Sequence, residues 1–281
     1  MTIRQLQFLK FLAFSVFIGR AYQHLFFDIP LRELLWDEGL MKGIVERFTS
    51  LSWETYITDT TTDYWIQDIT QSFGVFYVLC AIVVIFIQPH QKRLGKVLLA
   101  GSVGLILLAL LYWKEKFMSI GQFIEYAAQF GMPIFLYFAL FKLTEVNKTK
   151  FINAIKIAIA LTFIGHGLYA LGFYPVPFTY TEMMISVFGL SESNAIFFLK
   201  IAGIVDLIAA VAIFIPKVEK PFLWYCVIWG TMTALARVVG NFYWEIPWES
   251  LPQWWFASFY RLPHGGLALL VLLSSVLKAE M

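Results

Sequence analysis

Long apolar runs recur down the whole chain, at 6–27, 66–87, 94–113, 122–142, 151–173, 195–215, 221–240 and 256–277. Each is long enough to supply the roughly 20 apolar residues that a helix needs to cross a bilayer. Of the 281 residues 59% are hydrophobic and only 14% charged, a balance suited to lipid rather than to water. Inside a bilayer only helices and closed barrels satisfy their own backbone groups, and these runs lack the period-two alternation of barrel strands. The expected fold is therefore an all-α integral membrane protein of about eight transmembrane helices. The first run follows Arg4 and contains Lys10 but has no small-residue cleavage site, so it reads as a retained helix rather than a signal peptide.

Basic residues sort the connections, because cytoplasmic loops carry the excess of Lys and Arg. Arg4 and Lys10, then Lys92, Arg93 and Lys96, then Lys142, Lys148, Lys150 and Lys156, then Lys217, Lys220 and Lys278 fall on one side. The opposite connections hold Arg32, Lys42, Arg47, Lys114 and Lys116 together with most of the carboxylates. Both termini are expected to be cytoplasmic, with the protein in the cell (inner, cytoplasmic) membrane. Trp36, Trp53, Trp65, Trp113, Trp244, Trp248, Trp254 and Trp255 gather at the outer ends of spans, as an interfacial belt does. The formal charge of +2 gives no reason to expect a nucleic-acid partner. Cys80 and Cys226 lie inside apolar runs without a C-x-x-C partner and read as inert packing residues.

The chain also matches itself. Phe17-Ile18-Gly19-Arg20 resembles Phe163-Ile164-Gly165-His166, and Pro30 and Pro177 follow at nearly the same interval. Tyr112-Trp113 resembles Tyr243-Trp244, and Gln129-Phe130-Gly131 resembles His264-Gly265-Gly266. The expectation is two parallel four-helix repeats, 1–146 and 147–281, the first carrying extra residues in a long outer loop, 28–65. Similarity of apolar composition alone is the competing explanation.

The second half resembles a known family. Phe163-Ile164-Gly165-His166-Gly167, then Gly203 and Asp206, then Arg261-Leu262-Pro263-His264 are similar to the DoxX-like superfamily of four-helix membrane proteins. The resemblance covers the second half better than the first and implies a tandem DoxX-like chain. It further implies a quinone-linked redox role, with quinone as the ligand; fold follows from it more directly than activity, because the family is functionally diverse.

Ionisable residues within spans are costly and mark functional positions. The candidates for ligand binding or proton relay are Arg20, His24, Glu125, His166, Asp206, Arg237, Arg261 and His264. All are expected in the outer half of the membrane, with Glu125 and Asp206 as counter-ions for the arginines. An excess of donors suits an anionic or strongly accepting head group: a quinone carbonyl, a phosphate or a carboxylate. Buried arginine–carboxylate pairs can equally fix helix register, and Lys200 can snorkel to the surface. No His-x-x-Glu or His-x-x-x-His spacing occurs, so no metal site is expected. Whether the chain is an enzyme is left open. The alternatives to a ligand-binding protein are a non-catalytic accessory or scaffold subunit, holding a membrane or envelope protein through loop 28–65, and a lipid or small-solute carrier. Membrane lipids are expected partners in every case.

Overall fold

Every apolar run folds as helix. The computed structural model describes residues 1–143 and 148–279, with side chains through Ser274. The expected boundary between the halves, 146/147, lies outside the described residues. In chain order the helices are α1 (Ile3–Phe26), α2 (Arg32–Leu35), α3 (Glu38–Phe48), α4 (Trp53–Thr58), α5 (Thr60–Phe86), α6 (Lys92–Glu115) and α7 (Ile120–Glu125). They continue as α8 (Ala127–Phe141), α9 (Lys148–Leu171), α10 (Phe178–Phe188), α11 (Glu192–Ala212), α12 (Glu219–Val239), α13 (Pro247–Phe259) and α14 (Pro263–Ala279). Among the described residues there is no strand.

Six segments are long and apolar enough to cross a bilayer: Thr60–Phe86, Lys92–Glu115, Ile120–Phe141, Lys148–Leu171, Glu192–Ala212 and Glu219–Val239. The pair Pro247–Phe259 and Pro263–Ser274, bent by 43°, makes a seventh if taken as one span. The first apolar run, α1, is not among them, since Lys10, Arg20, Gln23 and His24 dilute it. Its polar face is instead turned inward: Gln5, Arg20, Gln23 and His24 are all buried. The region 28–65, expected as a loop, is largely helical. Asp37, Ser52 and Asp59 each accept a hydrogen bond from a first-turn N–H and so start α3, α4 and α5.

The core is built around α1 and α9. Helix α1 packs on α5, α8, α13 and α14, and α9 packs on α7, α8, α11 and α14. Two glycines permit close backbone approaches at corresponding places. A Cβ on Gly19 would stand 2.8 Å from the Phe256 carbonyl oxygen and 3.0 Å from the Tyr260 nitrogen. A Cβ on Gly165 would stand 2.7 Å from the Gly121 carbonyl oxygen and 2.9 Å from the Glu125 nitrogen. Each glycine therefore seats its helix against the backbone of a helix pair that is broken a few residues further on. The α7–α8 break falls at Tyr126, and the α13–α14 break at Tyr260 to Leu262. At the first break the freed Ala128 N–H donates to Thr162 Oγ1 at 3.0 Å, so a side chain of α9 replaces the missing carbonyl.

Candidate ligand-binding site

The two helix breaks deliver Glu125, Tyr126, Tyr260 and Arg261 to one level, where α1 contributes Arg20 and α9 contributes His166. Arg20 is fully buried, and no carboxylate pairs with it among the described residues. Its Nε and Nη2 both donate to Gln129 Oε1, at 3.1 and 2.6 Å, and Nη1 donates to Gln23 Oε1 at 2.6 Å. Gln23 in turn donates to the Tyr112 hydroxyl at 2.7 Å. The rings of Tyr260, Tyr126 and Tyr112 surround the guanidinium, with centroids 3.7, 5.0 and 5.8 Å from its carbon. Amide oxygens and aromatic faces thus do the work expected of a carboxylate.

His24 takes a different place. Its Nδ1 lies 2.6 Å from the Arg20 carbonyl oxygen and its ring meets Tyr77 edge-on, so it braces α1 against α5. The counter-ion role expected of Glu125 and Asp206 is not filled: neither forms an ion pair with an arginine among the described residues. Helix geometry is the reason: Asp206 on α11 faces α12 and accepts from the Tyr225 hydroxyl at 2.7 Å. Glu125, at the end of α7, is turned toward α9, with Oε1 4.0 Å from His166 Nε2. Lys200 is exposed.

Five of the eight candidates, His166, Asp206, Arg237, Arg261 and His264, line one hollow of about 280 Å³ among α9, α10, α11, α12 and α14. Its remaining wall is chiefly apolar, with Met183, Met184 and Leu199 inside. Phe188, Met232, Leu235 and Val239 also line it and are exposed on the surface of the bundle. The rings of His166 and His264 lie 5.1 Å apart, and His166 Nδ1 is 2.8 Å from the Tyr180 hydroxyl. Arg261 is 7% exposed; its Nη1 donates to the Ala257 carbonyl oxygen at 3.0 Å, while its Nε has no partner. His264 is 2% exposed, and neither ring nitrogen has a partner. Arg237 holds Thr179 Oγ1 at 3.4 Å, again with Nε unpaired. Buried polar groups are ordinarily satisfied, so this concentration on one wall is exceptional.

Tyr180 and Trp229 belong to the site but are not among the eight. Hydropathy places them among ordinary aromatics; the proline-started segment that becomes α10 was the available signal for Tyr180. A second, polar hollow of about 790 Å³ lies between the 28–38 segment and the end of α6. Tyr112 is on its wall, so the Arg20 network reaches it through Gln23.

These features define an all-helical protein with several membrane-length helices and an apolar hollow carrying buried, unsatisfied donors. Comparison with protein-family models, curated proteins and solved structures gives no match.

Proposed function

We propose that the chain is a multi-pass protein of the cell membrane that takes an amphipathic ligand from the surrounding lipid into the hollow among α9–α12 and α14. The observation that carries this reading is the set of partnerless nitrogens of Arg261 and His264 on the wall of an otherwise apolar hollow. Leaving such groups unpaired is costly, and a bound head group removes the cost. In this reading α1 and the bent α13–α14 pair join the six apolar segments to make eight spans, with both termini cytoplasmic and the hollow toward the outer leaflet.

The two halves are read as parallel DoxX-like repeats. In support, Gly19 meets Phe256 and Tyr260 as Gly165 meets Gly121 and Glu125. The motif match of Arg20 with His166 and of Gln129 with His264 then equates the hydrogen-bonded pair Arg20–Gln129 with the edge-to-face pair His166–His264. The DoxX-like resemblance offers a quinone as ligand. Its reduction to quinol would draw two electrons from a partner or co-bound substrate and two protons, for which His166 and Glu125 are the nearest carriers.

The test is mass spectrometry of small molecules that copurify from gently solubilised membranes. Wild type should retain an amphiphile that an Arg261→Ala, His264→Ala variant loses; retention by neither, or equally by both, would remove the reading. A scaffold role through the 28–65 region is favoured by a separate feature, the exposed Leu40, Ile44 and Phe48 along one side of α3. It requires that substitutions there, not in the hollow, abolish function in the cell.

A further inference from the structure

Resting on that ligand-site reading, we infer that the ligand's head group is an oxyanion, a carboxylate or a phosphate, rather than a neutral carbonyl, and that Arg237, Arg261 and His264 hold it.

Both guanidinia on the wall of the hollow stay ionised at any ordinary pH. The partners of Arg261 are the Ala257 carbonyl oxygen and the Tyr260 hydroxyl, and that of Arg237 is the Thr179 hydroxyl; none is a carboxylate. Asp206 shares the wall, but its carboxylate accepts from Tyr225, and Glu125 is turned toward His166, so neither carboxylate pairs with a guanidinium among the described residues. Arg20 adds a third buried cation behind Tyr260, and its amide and aromatic surroundings bring no counter-charge either. A neutral carbonyl would occupy one or two of the free N–H groups and leave both guanidinia without an ion-pair partner. An oxyanion satisfies the donors and the charge together, and guanidinium is the group best shaped to receive it.

Size and wall chemistry supply the rest. At about 280 Å³ the hollow sits at the lower edge of the roughly 300–1,000 Å³ typical of small-molecule sites. It holds a head and a short length of chain. Past the head the wall is methionine, leucine and phenylalanine, and the lining continues to the exposed side chains of Met232, Leu235 and Val239. An apolar tail leaving that way enters lipid. A soluble anion would find the donors but would meet an apolar wall everywhere else.

The experiment uses the full chain in a non-ionic detergent and follows Trp229 fluorescence, since that indole lines the hollow. The probes are dodecyl phosphate, dodecanoate, dodecanol, decylubiquinone and inorganic phosphate. The two anionic amphiphiles should bind at least about tenfold more tightly than dodecanol or decylubiquinone, roughly 1.4 kcal/mol. Arg237→Gln should erase that preference while dodecanol binding and the melting temperature are retained. Met232→Trp, at the rim, should weaken dodecyl phosphate and leave inorganic phosphate unchanged. Equal binding of the neutral and anionic chains would overturn the oxyanion assignment yet leave the amphiphile site standing. Inorganic phosphate binding as tightly as dodecyl phosphate would overturn the amphiphile and assign a soluble oxyanion. Binding of no probe would overturn both readings.

Discussion

The guanidinium carbon of Arg20 lies 3.7 Å from the centre of the Tyr260 ring, and that of Arg261 lies 4.6 Å from the same centre. One tyrosine therefore separates two buried cations and connects a helix of the first half to the broken helix of the second. Cation–π attraction grows when both groups are desolvated, so Tyr260 lowers a repulsion that would otherwise act between unscreened charges.

Arg20→Lys is expected to be strongly destabilising despite conserving charge. Lysine lacks the fork that spans Gln129 and Gln23, and each amide oxygen left buried and unpaired costs about 1–3 kcal/mol. Thermal unfolding of the detergent-solubilised variant should show a fall of several degrees. Gln129→Ala should give a similar loss, and the double variant less than the sum, because both break the same contacts.

Gly165→Ala tests the packing of α9 on the α7–α8 break. The added methyl would meet backbone atoms at 2.7–3.0 Å, which cannot rotate away, so a cost of about 1–3 kcal/mol is expected from overpacking. Gly43→Ala is the contrast. Nothing lies within 4 Å of its Cβ position on α3, and relief of glycine's backbone entropy should stabilise by about 0.5–1 kcal/mol. Unfolding midpoints that move in the same direction for both would contradict this account.

Hydropathy made the eight helical runs legible, because a bilayer-length apolar segment has few other ways to satisfy its backbone. It was blind to the breaks at Tyr126 and at Tyr260 to Leu262, since a kink changes geometry without changing apolar character. The capping residues Asp37, Ser52 and Asp59 were in plain view within 28–65, where the gap between apolar runs and the repeat offset alone pointed to a loop. The polar positions were legible and their partners were not. Charge pairing points from Glu125 to Arg261, but side-chain direction around a helix decides who meets whom, and Glu125 points at His166. Arg20 is the sharper case, because nothing in a sequence announces that two glutamines and three tyrosines will stand in for a carboxylate.

Lys156, buried, and Glu219, half-buried, form a link between α9 and the start of α12, with Nζ 2.9 Å from Oε1. Glu219→Gln leaves Lys156 buried without its counter-charge and should cost about 3 kcal/mol or more, while Lys156→Met, Glu219→Leu should recover most of it. A double variant no more stable than Glu219→Gln alone would show that the link is held by something other than charge pairing.

Asp37 supplies the pH dependence at the exposed end. Hydrogen bonding from Lys114, 2.6 Å away, holds its carboxyl below the ordinary value of 3.8. A carboxyl depressed on folding contributes stability above its unfolded value and loses it as pH falls through the lower folded value. The carboxyl-carbon resonance of Asp37 should therefore titrate below 3.8, and Lys114→Met should return it toward the ordinary range.

The eight-span arrangement makes the final prediction. Phe117 follows α6 and Trp244 follows α12, both highly exposed; His90 precedes α6 and Lys217 precedes α12, both also exposed. If α6 and α12 each cross once in the same direction, the first two positions lie outside the cell and the last two inside. Cys80 and Cys226 are fully buried, so they should stay unlabelled and leave a clean background. Single cysteines at 117 and 244 should react with an impermeant maleimide on intact cells, and those at 90 and 217 only after permeabilisation. Labelling of 117 and 217 from the same side would mean that the halves are antiparallel, which would remove the parallel repeat and with it the equation of Arg20 with His166.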